Sequence, residues 1–259
     1  MRILFIGDIV GRAGRKAVMS TLDRMVARDG IDLAIANCEN SAAGFGITPK
    51  IASQLLRAGI QVLTSGNHIW DKKEILPYLD TQPRLLRPAN YPEAPGSGLY
   101  VGLSDSAVPY AILNLQGRVY MPHTDCPFRC ADQMLAELDP AVKVRLIDFH
   151  AEVTSEKVAF GNYVDGRVSA VVGTHTHVPT ADERVLPSGT AYITDVGMSG
   201  PARSVIGMRV DASTRRFLTA LPTRFRPAAG PVGINATVID VDTASGKARS
   251  IRRRAEQVV

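Results

Sequence analysis

Cysteine is nearly absent. The chain of 259 residues has three, Cys38, Cys126 and Cys130. An odd, sparse set gives no disulfide framework, and the usual reading is a reducing compartment. Cys126 and Cys130 stand four apart with Pro127 between them and no second pair, so a zinc knuckle would need other ligands. No apolar stretch approaches the roughly 20 residues needed to span a bilayer, which excludes a helical membrane protein. The apolar run at Met1–Gly7 is too short for a secretory core and has no small-residue cleavage site, so it reads as the first strand of a cytoplasmic protein. Aromatic residues are only 6%, and no RNP-like or helix-turn-helix pattern is present. Histidine is scarce too: five in all.

What is there is an ordinary globular balance, 45% hydrophobic and 21% charged, with a net charge of +5. The length prior gives one large domain or two small ones, and without a linker, repeat or low-complexity tract we read residues 1–259 as a single domain. Positive charge gathers late, in Arg215-Arg216, Arg224, Arg226 and Arg252-Arg253-Arg254. A basic excess favours anionic substrates and leaves contact with RNA open beside a plain solvated edge.

The first half alternates buried strands with helical spacing. Met1–Gly7, Ile31–Cys38 and Ile60–Thr64 read as strands. Gly11–Arg15 reads as a turn before a helix over Lys16–Arg28. Thr48-Pro49 caps a helix running to about Arg57 and terminated by Gly59, and Asp71 opens another. Strands follow at Leu99–Val101, Tyr110–Leu115, Val142–Phe149, Val168–Val172 and Tyr192–Val196. A helix is expected over Ala131–Leu138, and another capped by Thr154. From Arg209 on, Val210, Arg216–Leu221, Val232–Ile239 and Ala248–Ile251 suggest short antiparallel strands completing a second sheet. The class is α/β with a largely parallel sheet, and ligands then bind outside the carboxyl ends of the strands.

Metal-competent side chains stand at those ends: Asp8, Glu39-Asn40, Asn67-His68, His150, and His175 with His177 in Gly173-Thr174-His175-Thr176-His177. Four of the five histidines are in this set, and only His123 is left over. An extended backbone would send the rings of His175 and His177 to one face. Two carboxylates, two amides and several imidazoles exceed what one metal needs, and two cations about 3.5–4 Å apart would use them all. Oxygen and imidazole donors without thiolate suit Fe or Mn. Thr174 and Thr176 read as satisfying loop backbone groups. Asp148 and Glu152 either orient the ligands or face solvent; Phe45 either stacks on a base or plugs its loop.

Gly7-Asp8, Gly66-Asn67-His68, His150 and Gly173–His177, in that order, resemble the calcineurin-like metallophosphoesterase superfamily. Two departures stand out. Val10 occupies the histidine position of the usual Asp-x-His, and Glu39-Asn40 replaces Gly-Asp. With those departures, Ile6–Gly11, Asn37–Asn40, Thr64–Trp70, Asp148–Glu152 and Ile193–Met198 resemble the YmdB family of bacterial phosphodiesterases acting on 2′,3′-cyclic nucleotides. The resemblance implies a four-layer αββα sandwich of two mixed sheets with the metal site at the strand C-terminal ends. It implies one metal on Asp8, Glu39, Asn40 and His177, and another on Glu39, Asn67, His150 and His175, with Glu39 bridging. His68 would not bind metal but would stand beside the scissile phosphate as proton donor or electrostatic partner. The implied reaction is in-line attack by a metal-bridging hydroxide, opening the ring to a 3′-nucleotide. A phosphomonoesterase of the same superfamily shares the whole site. An RNA-associated regulatory protein with a mainly structural metal is the rival from another class, and a homo-oligomer stays open.

Overall fold

Leu4 and Ile6 face one way along the first strand and Ile3 and Phe5 the other, and all four are buried. A strand apolar on both faces must be covered on both sides. In the computed structural model, which describes residues 1–258, that strand is β1 (Arg2–Ile6). It is followed by β2 (Asp8–Ile9), helix α1 (Gly11–Asp29), β3 (Leu33–Asn37), α2 (Pro49–Arg57), β4 (Val62–Thr64) and a short α3 (Leu76–Leu79). The middle of the chain forms β5 (Leu99–Leu103), β6 (Pro109–Gln116), α4 (Pro127–Glu137), β7 (Val144–His150), α5 (Thr154–Tyr163), β8 (Ala170–Thr174), β9 (Arg184–Val185) and β10 (Ala191–Ile193). The last part holds β11 (Met198–Pro201), α6 (Val210–Thr219), β12 (Val232–Val241) and β13 (Ala248–Val258).

A seven-stranded sheet runs β2-β11-β12-β1-β3-β4, with β13 on β12, and a six-stranded sheet runs β5-β6-β7-β8-β10-β9. Both are mixed: β1, β3 and β4 are parallel, as are β6, β7, β8 and β10, with antiparallel strands at the flanks. Three apolar seams make four layers. Leu4, Ile6, Ala34 and Ala36 pack under Val18, Leu22 and Met25 of α1 and Leu55 of α2. Ile3, Phe5, Leu33 and Ile35 meet Ile112, Leu146, Val172 and Ile193 across the two sheets. Leu113, Leu115, Ile147 and Phe149 pack against Ala131 and Leu135 of α4 and Phe160 of α5. The expected αββα sandwich is the observed fold.

Several local expectations change. Helix α1 begins at Gly11, not Lys16. Gly14 lies inside it because a Cβ there would stand 2.1 Å from the Ser199 carbonyl oxygen, so this glycine serves close approach to β11 rather than a turn. Thr48 caps α2 as expected, its hydroxyl accepting from Ile51 N. Asp71 opens no α-helix; it ends a 3₁₀ turn over Asn67–Asp71, its carboxylate committed to His68. The cap of α5 is Val153, and Thr154 is its first residue. Residues 210–219 are a helix, not strands. The C-terminal strands do not complete the second sheet. Strand β12 lies antiparallel beside β1, pairing Arg2 with Asp240, and the second sheet comes from the middle of the chain.

The late arginines of β13 are engaged. Arg252 and Arg254 reach the buried Asp29 carboxylate at 3.1 and 2.6 Å, and Arg253 pairs with Glu183 at 2.8 Å. Among the described residues, no helix is long and apolar enough to cross a membrane.

Candidate metal centre

The parallel strands of both sheets end on the same edge of the molecule. Asp8 follows β1, Glu39 and Asn40 follow β3, Asn67 and His68 follow β4, His150 closes β7, and His175 and His177 follow β8. The structure brings all eight together, and His123 stays outside.

The strand ends at Thr174, and neither His175 nor His177 is extended. Their φ angles are +102° and +67°. For residues with a Cβ this region is strained, and it persists only where the surroundings enforce it. The two rings therefore separate instead of sharing a face. His175 joins His150, Glu39 and Asn67, while His177 joins Asp8 and Asn40.

In the first group, His150 Nε2 stands 3.1 Å from each of Glu39 Oε1, Asn67 Oδ1 and His175 Nδ1. In the second, His177 Nε2 lies 3.1 Å from the Asn40 amide and 3.8 Å from Asp8 Oδ1. Glu39 Oε1 is also 3.2 Å from the Asn40 amide, so this carboxylate sits between the groups. A half-turn of that amide about its last bond would present its oxygen instead of its nitrogen.

Each imidazole spends its other nitrogen outside the cluster. His150 Nδ1–H donates to Thr174 Oγ1 at 2.9 Å, and that hydroxyl donates to Asp148 Oδ1 at 2.7 Å. His175 Nε2 faces Glu152 Oε2 at 3.0 Å, and His177 Nδ1–H donates to the Ile206 carbonyl at 2.9 Å. Holding one ring nitrogen protonated fixes the lone pair on the other, the usual support of a metal-bound histidine. Lone pairs that converge on one point fit a cation better than they fit each other. Asp8 Oδ1 adds to this test, being buried without a hydrogen-bond partner. Glu39, His150 and His175 form a group whose ligand atoms lie within 4.8 Å of one another.

Protonation follows the same logic. Burial raises the Asp8 pKa against the pull of His177 and His150. Burial also pushes Glu39 upward, but the charge and hydrogen bond of His150 outweigh it and hold the carboxylate at about 2. His150 is disfavoured as a cation by burial, yet Glu39 brings it to about 9; a ring proton there substitutes for an ion. Burial, then repulsion from His150, takes His175 down to about 3, leaving it neutral.

His68 stands apart from the converging atoms. Its backbone N–H donates to Glu39 Oε2 at 2.9 Å, and its Nδ1 faces Asp71 Oδ2 at 2.9 Å, which leaves Nε2 for the cavity it lines. Phe45 packs its ring edge-on at 5.0 Å from the His68 centroid. That cavity, about 340 Å³, is also lined by Glu39, Asn40, His175, His177 and apolar side chains including Ile206 and Phe225.

The family model described as YmdB-like protein matches residues 4–254. The chain is 49% identical to the 2′,3′-cyclic-nucleotide 2′-phosphodiesterase of Bacillus subtilis, over 98% of this chain and 96% of that one. It belongs to the YmdB-like family. Two crystal structures share the fold of this YmdB-like chain. A hypothetical protein from Thermus thermophilus has a TM-score of 0.93 and 41% identity, with 99% of each chain covered. A novel phosphatase from Mycoplasma pneumoniae has a TM-score of 0.94 and 35% identity, covering 99% of this chain and 93% of its own.

Some supporting residues carry no signal in the sequence of this family member. Lys157 Nζ donates to Asp195 Oδ2 and to the Thr174 carbonyl, each at 2.8 Å, and both side chains are 1% exposed. Asp195 Oδ2 further accepts from Thr176 N and Oγ1, so the Thr176 hydroxyl goes to a buried carboxylate rather than to a loop backbone group as expected. Thr174 differs from its expected part: its hydroxyl links His150 to Asp148. Asp148 itself is buried, not solvated; burial raises its pKa to about 7. Asp195 closes a buried strand's motif, which was a visible hint. Lys157, on a helix 38 residues away, offered none.

Proposed function

We propose that this chain, taken as one metallophosphoesterase domain over 1–259, is a metal-dependent phosphodiesterase that hydrolyses 2′,3′-cyclic nucleotides to 3′-nucleotides by in-line displacement. The observation that carries this reading is the orientation of the three imidazoles, each tied by one nitrogen and turning the other toward Glu39, Asn40, Asn67 or Asp8. Asp8, Glu39, Asn40 and His177 would hold one ion, and Glu39, Asn67, His150 and His175 a second. Two such ions, Fe or Mn by donor type, would supply when bound an activated water at neutral pH and charge to balance the phosphate oxygens. His68 is the group we assign to the leaving oxygen. Asp71 keeps its proton on Nδ1 and supports the charged ring, from which Nε2–H passes a proton to the departing 2′-oxygen. Ile206, Phe217 and Phe225 give the cavity an apolar wall against which the sugar and base would lie. The free cysteines fit the cytoplasm.

The relative named for this activity supports the substrate class; the relative named a phosphatase supports the monoester alternative. A panel of 2′,3′-cyclic, 3′,5′-cyclic and monoester substrates separates them. Glu39→Ala is expected to lose metal and turnover, while His68→Ala keeps metal and loses turnover. Full activity in Glu39→Ala would refute the reading.

A further inference from the structure

Between Arg203 and Ala228 the chain carries six arginines, at 203, 209, 215, 216, 224 and 226, against one acidic residue, Asp211. That excess of five equals the net charge of the whole chain, so the rest is neutral on balance. All six are exposed. Arg209 pairs with Asp211 at 2.6 Å, and none of the other five reaches a carboxylate among the described residues. The contrast is with Arg252, Arg253 and Arg254, each of which has one.

Apolar side chains are interleaved with this charge. Phe217 is 84% exposed, Leu218 80% and Leu221 56%, and α6 buries only Ser213. Ser213 and Phe217, one helical turn apart, line the cavity that holds His68, Glu39 and His177. Phe225 lines it as well, with the Arg216 guanidinium 5.7 Å above its ring. The basic and aromatic surface therefore starts at the mouth of the candidate metal centre and runs outward. Exposed rings beside unpaired arginines are the platform on which single-stranded nucleic acid stacks and is neutralised.

We infer that the residue 203–228 arm docks single-stranded RNA whose 3′ end carries a 2′,3′-cyclic phosphate, and that the cavity takes the terminal nucleotide of such a strand. This rests on the cyclic phosphodiesterase reading of the site. The cavity volume lies near the bottom of the usual range of about 300–1,000 Å³ for small-ligand pockets, so it suits one nucleotide and leaves the next ones on the arm. The chemistry permits it, because the strand continues from the 5′-oxygen, away from the reacting ring. Water adds to phosphorus, the P–O2′ bond breaks, the 2′-oxygen takes a proton, and the product ends in a 3′-phosphate. An anionic membrane is the competing occupant of a basic, apolar helix. RNA is favoured because the rings face the cavity rather than only solvent.

The test compares kcat/KM for 2′,3′-cyclic AMP with that for an oligoribonucleotide of about eight residues ending in the same cyclic phosphate, within the length such surfaces cover. Anisotropy of the labelled oligomer on chelator-treated protein reads binding without turnover. The wild type is expected to prefer the oligomer by at least about tenfold at low salt, with log affinity falling by about 0.7 per log unit of salt for each phosphate held. R215Q/R216Q/R224Q and, separately, Phe217→Ser are expected to pull the preference toward unity and weaken binding. Hydrolysis of the mononucleotide with no oligomer preference and no loss of binding in the variants overturns this inference and leaves the phosphodiesterase reading standing. Sedimentation with phosphatidylglycerol vesicles, lost in the triple variant, without any oligomer preference, also overturns it. Hydrolysis of neither substrate removes the phosphodiesterase reading, and this inference with it.

Discussion

Lys157→Met isolates the device that holds the histidine loop. In the native chain the Lys157 ammonium meets Asp195 Oδ2 and the Thr174 carbonyl at 2.8 Å each, wholly out of water. Asp195 in turn accepts from Thr176 N at 3.1 Å, Thr176 Oγ1 at 2.8 Å and Gly197 N at 2.8 Å. Methionine keeps the shape of the lysine stem but leaves a buried carboxylate with no opposite charge. Breaking a buried pair from one side costs about 3–5 kcal/mol. For a domain of this size that is a fall of roughly 6–20 °C in Tm. The loss is local as well as global, because the left-handed conformations at His175 and His177, strained by about 1–3 kcal/mol each, lose what enforces them. The expected outcome is a lower urea midpoint at unchanged m-value, and fewer metal ions per chain by elemental analysis. The double variant K157M/D195N removes both charges and is expected to lose less than the sum of the single variants. A Lys157→Met protein within about 1 kcal/mol of wild type and fully loaded with metal would refute the argument, since no such result is compatible with an uncompensated charge at 1% exposure.

Three further outcomes follow from the geometry. Gly66→Ala places a Cβ 2.1 Å from the His150 ring, so the folded variant should lose metal while keeping its circular dichroism. Asp71→Asn weakens the support of His68 and should lower kcat by roughly 10–100-fold with metal content unchanged, as loss of an orienting partner does. Asp29, held at about 2 by hydrogen bonds from Arg254 and Arg28, has a folded pKa below its ordinary 3.8. Its contribution is thus complete above about pH 4 and lost as pH falls toward 2. With the arginines half in water this amounts to about 1–2 kcal/mol, and Asp29→Asn should remove that part of the difference in urea midpoint between about pH 5 and about pH 2.5.

The candidate site was legible because its donors sit where buried strands stop. Asp8, Glu39, Asn67, His150 and His175 each end an apolar run, and a run of that kind marks a strand without knowledge of its neighbours. Neighbours are what local pattern withholds. The pairing of Arg2 with Asp240 joins opposite ends of the chain, so the C-terminal strands were readable as strands and not as partners of β1. The misread of residues 210–219 has a different cause. Phe217 and Leu218 do not face a core, so they break the periodicity that normally betrays a helix. The glycines of α1 misled in the same way: at Gly14 the absence of a side chain serves a helix-to-strand contact. The tie between Lys157 and Asp195 is purely tertiary.

The candidate donors are drawn from both sheets: Asp8, Glu39, Asn40 and Asn67 from one, His150, His175 and His177 from the other. An ion held among them is a clasp across the seam where the two sheets meet. The apolar layer inside can in principle slide, since oily surfaces have no preferred register beyond their bumps. The clasp fixes that register at one rim. Because it closes only in the folded chain, its affinity adds to stability by mass action, about 2.7 kcal/mol at a hundredfold excess over Kd. With the candidate ligands occupied, the melting temperature would rise with the free metal concentration, which a melt titrated with metal reads directly.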